Sequence, residues 1–155
     1  MENAKSEEAR RHVDGYVDMT LNLRRIVYLS TAAKSLSDDV VSSIAMQAGT
    51  RNRITAISGI LLSDGRRFIQ VLEGSPFHVE ATMKRIVHDP RHVDIKVAEN
   101  VATDRRCFGT WSMQFRRVGD GYYSKDFVRE VAEAARDIQD VSVKALLVGF
   151  AALGR

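Results

Sequence analysis

The sequence predicts an α+β fold, one sheet with its elements in the order β-α-β-β-α-β-β, and three observations predict it. Short runs rich in strand formers alternate with stretches of helical periodicity. Two of the runs flank Asp64-Gly65, a hairpin signal. The strands are apolar on both faces, so the sheet needs helices on one side and a second cover on the other.

The first strand is the run Leu-Arg-Arg-Ile-Val-Tyr-Leu-Ser at 23–30. Ser35 and Ser37, followed by Asp38-Asp39, mark a helix start, with carboxylates in the first turn. Val40, Val41, Ile44, Ala45 and Ala48 recur at helical spacing and Gly49 marks the end, which predicts a helix near 37–50. Strands follow at 57–62 and 67–73, across the Asp64-Gly65 turn. Ser75 is placed as a cap and Pro76 at the first helical position, with the helix running to about His88 before Pro90 stops it. Two further strands are expected at 93–102 and 110–116. This order is the split βαβ or ferredoxin-like arrangement with one extra strand. Two short helices at 125–136 and 140–152, with Phe127, Val128, Val131, Leu146, Leu147 and Phe150 as apolar positions, are expected to cover the other face. The division is an arm at 1–20, a domain at 21–118 and a helical cap at 119–155.

The chain has 155 residues, 45% hydrophobic and 28% charged, the size and balance of one globular domain. The one cysteine, Cys107, excludes an internal disulfide and suits a reducing, cytoplasmic setting, where it reads as a small packed residue. No stretch approaches the roughly 20 apolar residues of a membrane helix, and the charged N-terminus lacks the apolar core of a secretory signal. No membrane is expected as a partner. Net charge is +3, and the arginines come in scattered pairs such as Arg24-Arg25 and Arg105-Arg106. They read as solvated strand ends and turns. A nucleic-acid partner would call for one basic patch with interleaved aromatics, and none is expected.

Most signatures of catalysis are absent: no glycine-rich phosphate loop, no nucleophile elbow, no paired metal motif. His88 and His92 have the spacing of two helical ligands, but Pro90 lies between them, so no metal is expected. The informative residues are polar ones in apolar places. Gln70 sits mid-strand with the parity of Phe68 and Leu72, and a buried amide is costly without partners. Tyr28 lies in the first strand, on the face of Ile26, where a phenol can satisfy that amide. Taken alone, the pair reads most simply as a satisfied core hydrogen bond.

A wider constellation stands in order along the chain: Tyr28, then Asn52 seven residues before Gly59, then Phe68-Ile-Gln-Val-Leu-Glu-Gly74, then Arg85-Ile-Val-His-Asp89-Pro-Arg91-His92, and last Trp111-Ser-Met113-Gln114. Together these resemble the BLUF family, the sensors of blue light using FAD, over roughly residues 22–117. The chain departs from the family at Ser58, where a threonine is frequent, and at Ser63, where an aromatic is frequent; neither position is photochemical.

The resemblance implies a non-covalently bound FAD, with FMN or riboflavin as possible substitutes, and a photoreceptor rather than an enzyme. The ring would lie between the two helices, with Ile44, Phe68 and Ile86 as apolar walls. Gln70 would bridge Tyr28 to the flavin edge, and Asn52 would pair with the ring's carbonyl and N3. As residues alone, Asn52 also fits a cap just beyond the first helix, and Arg85 with Asp89 fits an ion pair one turn apart on the second. In the family the positions of Arg85 and Asp89 contact the pyrimidine side, while His92 and Arg51 approach the ribityl or phosphate chain. Trp111 and Met113, on one face of the last strand, would exchange places to carry the signal. The short members of the family inform a separate effector protein, and self-association as a dimer or larger homo-oligomer is expected. The alternatives are a ferredoxin-like or acylphosphatase-like ligand-binding domain without flavin, and a flavin-dependent redox protein without light sensing.

Overall fold

The computed structural model describes residues 22–34, 36–109, 114–117 and 125–153, and of residues 38, 114–117 and 125–127 the backbone alone. Five strands form one sheet: β1 (Leu23–Ala32), β2 (Ser58–Ser63), β3 (Arg67–Gly74), β4 (His92–Thr103) and β5 (Gln114–Arg117). The spatial order is β4-β1-β3-β2-β5. The first four pair antiparallel, and β5 adds to β2 in parallel. Helices α1 (Asp38–Ile54) and α2 (Pro76–Val87) connect strands, and α3 (Lys125–Ala134) and α4 (Val141–Ala152) form the tail. The order and class are those the sequence predicts.

Local chemistry explains the boundaries. Ser75 caps α2, its Oγ accepting from the His78 backbone N–H at 3.3 Å, with Pro76 at the first helical position. At the hairpin, Gly65 takes a φ of +85°, and Asp64 accepts from the backbone N–H groups of Arg66 and Arg67. Helix α1 overruns its expected end. Gly49 lowers helical propensity without breaking the backbone pattern, and the helix continues to Ile54, past which Ala56 makes the exit turn at positive φ. Asn52 therefore lies in the last turn of α1 rather than beyond it as a cap.

Strand alternation sorts the core into two sides. Ile26, Tyr28 and Leu72 pack toward α2, and Leu61 and Phe68 pack with Val41 and Ala45 of α1. Val27, Ile60, Leu62, Ile69 and Val71 face the opposite way and pack against Val131, Val143, Leu147 and Phe150 of the tail. The expected cover of the second face is thus present. No helix among the described residues is long and apolar enough to cross a membrane.

Candidate functional site

The site grows out of the pairing of β1 with β3. Tyr28 and Gln70 are direct cross-strand partners with side chains on the same face. The Tyr28 hydroxyl donates to Gln70 Oε1. Both residues are buried, Gln70 at 4% exposure. Burial, with the nearby Asp89 charge second, raises the Tyr28 pKa well above its ordinary value. The phenol is therefore neutral at any physiological pH.

Above this pair, α1 and α2 leave a cleft whose empty space, counted together with the open solvent at its mouth, is about 610 Å³. Tyr28, Leu61 and Gln70 form its floor, and Ile44, Gln47, Ala48, Arg51 and Asn52 line the α1 side. Thr82, Arg85 and Ile86 line the α2 side, with Asp89, Arg91 and His92 at the turn into β4. Helical spacing explains the α1 side: 44, 48 and 51–52 fall on one stripe. Asn52 is 1% exposed despite its amide.

Seven residues expected at a cofactor site on the helices and the turn, Ile44, Arg51, Asn52, Arg85, Ile86, Asp89 and His92, line this one cleft with Tyr28 and Gln70. Phe68 does not line it. It is fully buried among Val41, Ala45 and Leu61, and the His92 ring lies against it with centroids 5.1 Å apart. Trp111 and Met113 lie outside the described residues.

The ion pair that Arg85 and Asp89 would also fit, as residues alone, does not form. Helix α2 ends at Val87, ahead of Pro90, so Asp89 leaves the helical surface. It accepts instead from Arg91, through the backbone N–H at 3.0 Å and through Nε and Nη2 of the guanidinium. The hydrogen bonds from the Arg91 side chain hold the Asp89 carboxyl below the usual carboxylate range. Arg85 turns back along the helix to donate to Thr82 Oγ1 at 2.9 Å. Sequence reasoning did not place Gln47, Ala48, Leu61, Thr82 or Arg91 among the lining residues. The Asp-Pro-Arg turn, which folds an arginine back onto its own aspartate, was the available signal for Arg91.

His92 Nδ1 lies 3.0 Å from Ser30 Oγ. Burial lowers the His92 pKa, and Asp89 opposes that shift. The neutral ring is therefore favoured. The lining thus combines two buried amides, a neutral phenol, apolar walls and cations at the mouth. That donor and acceptor set fits a flat heteroaromatic ring with adjacent carbonyl and N–H groups, carried on an anionic chain.

The family model for sensors of blue light using FAD matches residues 23–114. The β subunit of a photoactivated adenylate cyclase from Euglena gracilis is 34% identical over 95 residues, which is 60% of this chain and 11% of that protein. The chain thus spans about a tenth of the length of the curated relatives it matches. Among solved structures, BlrB, a BLUF protein in its dark state, is similar with a TM-score of 0.62 and 28% identity, covering 84% of this chain and 96% of that one. The Klebsiella pneumoniae protein BlrP1, solved with FMN and cyclic diGMP, gives a TM-score of 0.72 and 28% identity over 85% of this chain and 35% of its own. On the family match, the chain belongs to the BLUF family of blue-light sensors using FAD.

Proposed function

We propose that the chain detects blue light through flavin held in the cleft over Tyr28 and Gln70. The observation that carries this is the hydrogen-bonded, buried Tyr28–Gln70 pair opening directly onto an apolar-walled cleft. When bound, flavin supplies the blue-light absorption and, once excited, an electron acceptor. With flavin bound, Tyr28 would be the electron donor and Gln70 Oε1 would receive the phenolic proton; both would return to Tyr28, so nothing would be consumed. The Gln70 amide is left rotated or tautomerised, with donor and acceptor ends exchanged. Asn52 fixes the ring's register, and Arg51, Arg85, Arg91 and His92 hold its polar edge and anionic chain. Asp89 fixes the Arg91 guanidinium for that task. FAD is the natural occupant, and the ring contacts alone also accommodate FMN or riboflavin.

The chain is a sensor and not an enzyme in this reading, with residues 21–118 as the flavin-binding domain, 119–155 as a helical cap and 1–20 as an arm. It works in the cytoplasm, self-associates, and informs a separate effector protein, with Trp111 and Met113 carrying the change along the last strand. The test is illumination of the flavin-loaded protein. A reversible red shift is expected, lost in Tyr28→Phe and in Gln70→Leu. A preparation that takes up no flavin, or one that is steadily reduced by NADH without a photoproduct, overturns the reading.

A further inference from the structure

The back of the same two strands carries a buried charge network that the flavin cleft does not use. Three positions from the Tyr28–Gln70 pair, Arg25 and Glu73 are also cross-strand partners, and they face the tail. Arg25 is only 4% exposed. Its Nε donates to Glu99 of β4 at 2.7 Å, its Nη1 to Cys107 Sγ at 3.4 Å, and its Nη2 to Asp140 at 2.8 Å. Asp140 in turn caps α4, accepting from the backbone N–H groups of Ser142 and Val143. One guanidinium thus binds a sheet strand, the segment after β4 and the first turn of the last helix.

Two further features tie this network to the cleft. The β1–β4 register shifts between Val27 and Tyr28, and Val27 is the partner of Glu99. An irregularity of this kind concentrates deformation locally, here between the photochemical tyrosine and a carboxylate of the network. Glu73, on the strand of Gln70, holds the backbone N–H groups of Cys107 and Phe108. Both strands that meet at the pair therefore reach this network within three residues, β1 through Arg25 itself and β3 through Glu73, which holds the Cys107 backbone beside the thiol that Arg25 bonds.

We propose that Arg25 is a light-operated clamp: it positions the first turn of α4 against the flavin-bearing strands, and the change at Tyr28–Gln70 loosens its grip on Asp140. This rests on the light-sensing reading above. A buried arginine that loses one of two carboxylates keeps its charge neutralised by the other, here Glu99, so the clamp has a closed and an open arrangement without leaving a bare charge. Opening it frees the N-terminus of α4, and with it the cover over Val27, Ile69 and Val71.

Hydrogen–deuterium exchange on the flavin-loaded full chain, dark and lit, tests this. In the wild type, illumination should speed exchange across 141–152. Asp140→Asn keeps the cap acceptor and removes the charge. It should retain the red shift, raise dark exchange in 141–152 roughly tenfold, and show no further rise in light. Arg25→Gln should do the same. Ser142→Ala removes a hydroxyl that bridges Glu99 and Asp140 while leaving Arg25 its partners, and should keep the light-induced rise. Dark protection and a full light response in Asp140→Asn overturn the clamp, as does a wild type whose spectrum shifts with no change in 141–152. A wild type with no red shift overturns the light-sensing reading first, on absorption alone, and the clamp with it.

Discussion

The two faces of the sheet are built from the same strands and solve opposite problems. On the face toward α1 and α2, the buried amides of Gln70 and Asn52 border an open cleft. On the face toward α3 and α4, Val27, Ile69 and Val71 pack against the tail, and Arg25 and Glu73 are bound by the chain itself beside a second, more polar cavity lined by Arg25, Cys107 and Asp140. Alternation along β1 and β3 sends Tyr28 and Gln70 one way and Arg25, Glu73, Val27 and Val71 the other. Both faces bury polar groups that the chain itself partners, so polarity does not separate them; what does is that Tyr28 and Gln70 floor the cleft between α1 and α2, while Val27 and Val71 pack against the tail.

The largest effect should come from the back face. Glu73 is fully buried and accepts from the backbone N–H groups of Cys107 and Phe108 and from the Ser58 hydroxyl. Glu73→Ala strands these donors, and urea unfolding should show a loss of about 4 kcal/mol. Leu147→Ala empties a fully buried position between tail and sheet and should cost about 3 kcal/mol. Both variants, where folded, should still bind flavin with near wild-type affinity.

The cleft face should behave in the reverse manner. Ile86 is only partly buried and lines the cleft. Ile86→Ala should weaken flavin binding roughly tenfold while moving the melting point of the flavin-free chain less than Leu147→Ala does. Flavin at 100 times its Kd should stabilise the wild type by about 2.7 kcal/mol. That increment should shrink in Ile86→Ala and persist in Leu147→Ala. Equal loss in both variants would mean that the two faces are not energetically distinct.

The same comparison shows what a sequence can carry. The element order, the two-faced strands and the Ser75-Pro76 cap are local patterns, and each is legible residue by residue. Most of the cleft was legible too, because helix periodicity and strand parity already aim Ile44, Asn52, Tyr28 and Gln70 at one place. The back-face ions were not. Arg25 sits in an arginine pair that reads as a solvated strand end, and Arg106, of another such pair, donates to Ser58 and to backbone carbonyls of Ala56 and Glu73. The burial of Arg25 depends on partners such as Asp140, far along the chain, which no local pattern announces. The alternative reading of Arg85 and Asp89 as an ion pair is not met, for a related reason. Helical spacing was correct, but the helix stops at Val87 and Arg91 lies closer.

The smallest predicted effect, pH dependence, also divides the faces. His92 is disfavoured as a cation in the folded chain, because burial lowers its pKa below the ordinary 6.5. The unfolded chain then binds more protons than the folded one just below that value. Stability should therefore be full above about pH 6.5 and fall as pH drops below it. On the back face, hydrogen bonding from Ser142, with Arg25 contributing, holds the Asp140 carboxyl down to about 2. Its contribution is present above the ordinary value of 3.8 and is lost only as pH falls from there toward about 2. Urea midpoints followed from pH 7 down to 5 should thus drop modestly through His92, and His92→Gln should flatten that slope. Protection of 141–152, with the intrinsic pH dependence of amide exchange divided out, should stay unchanged over the same range and fall only below about pH 4. A tail that loosens already at pH 6 would mean that the two faces titrate together, and that the sheet does not separate them.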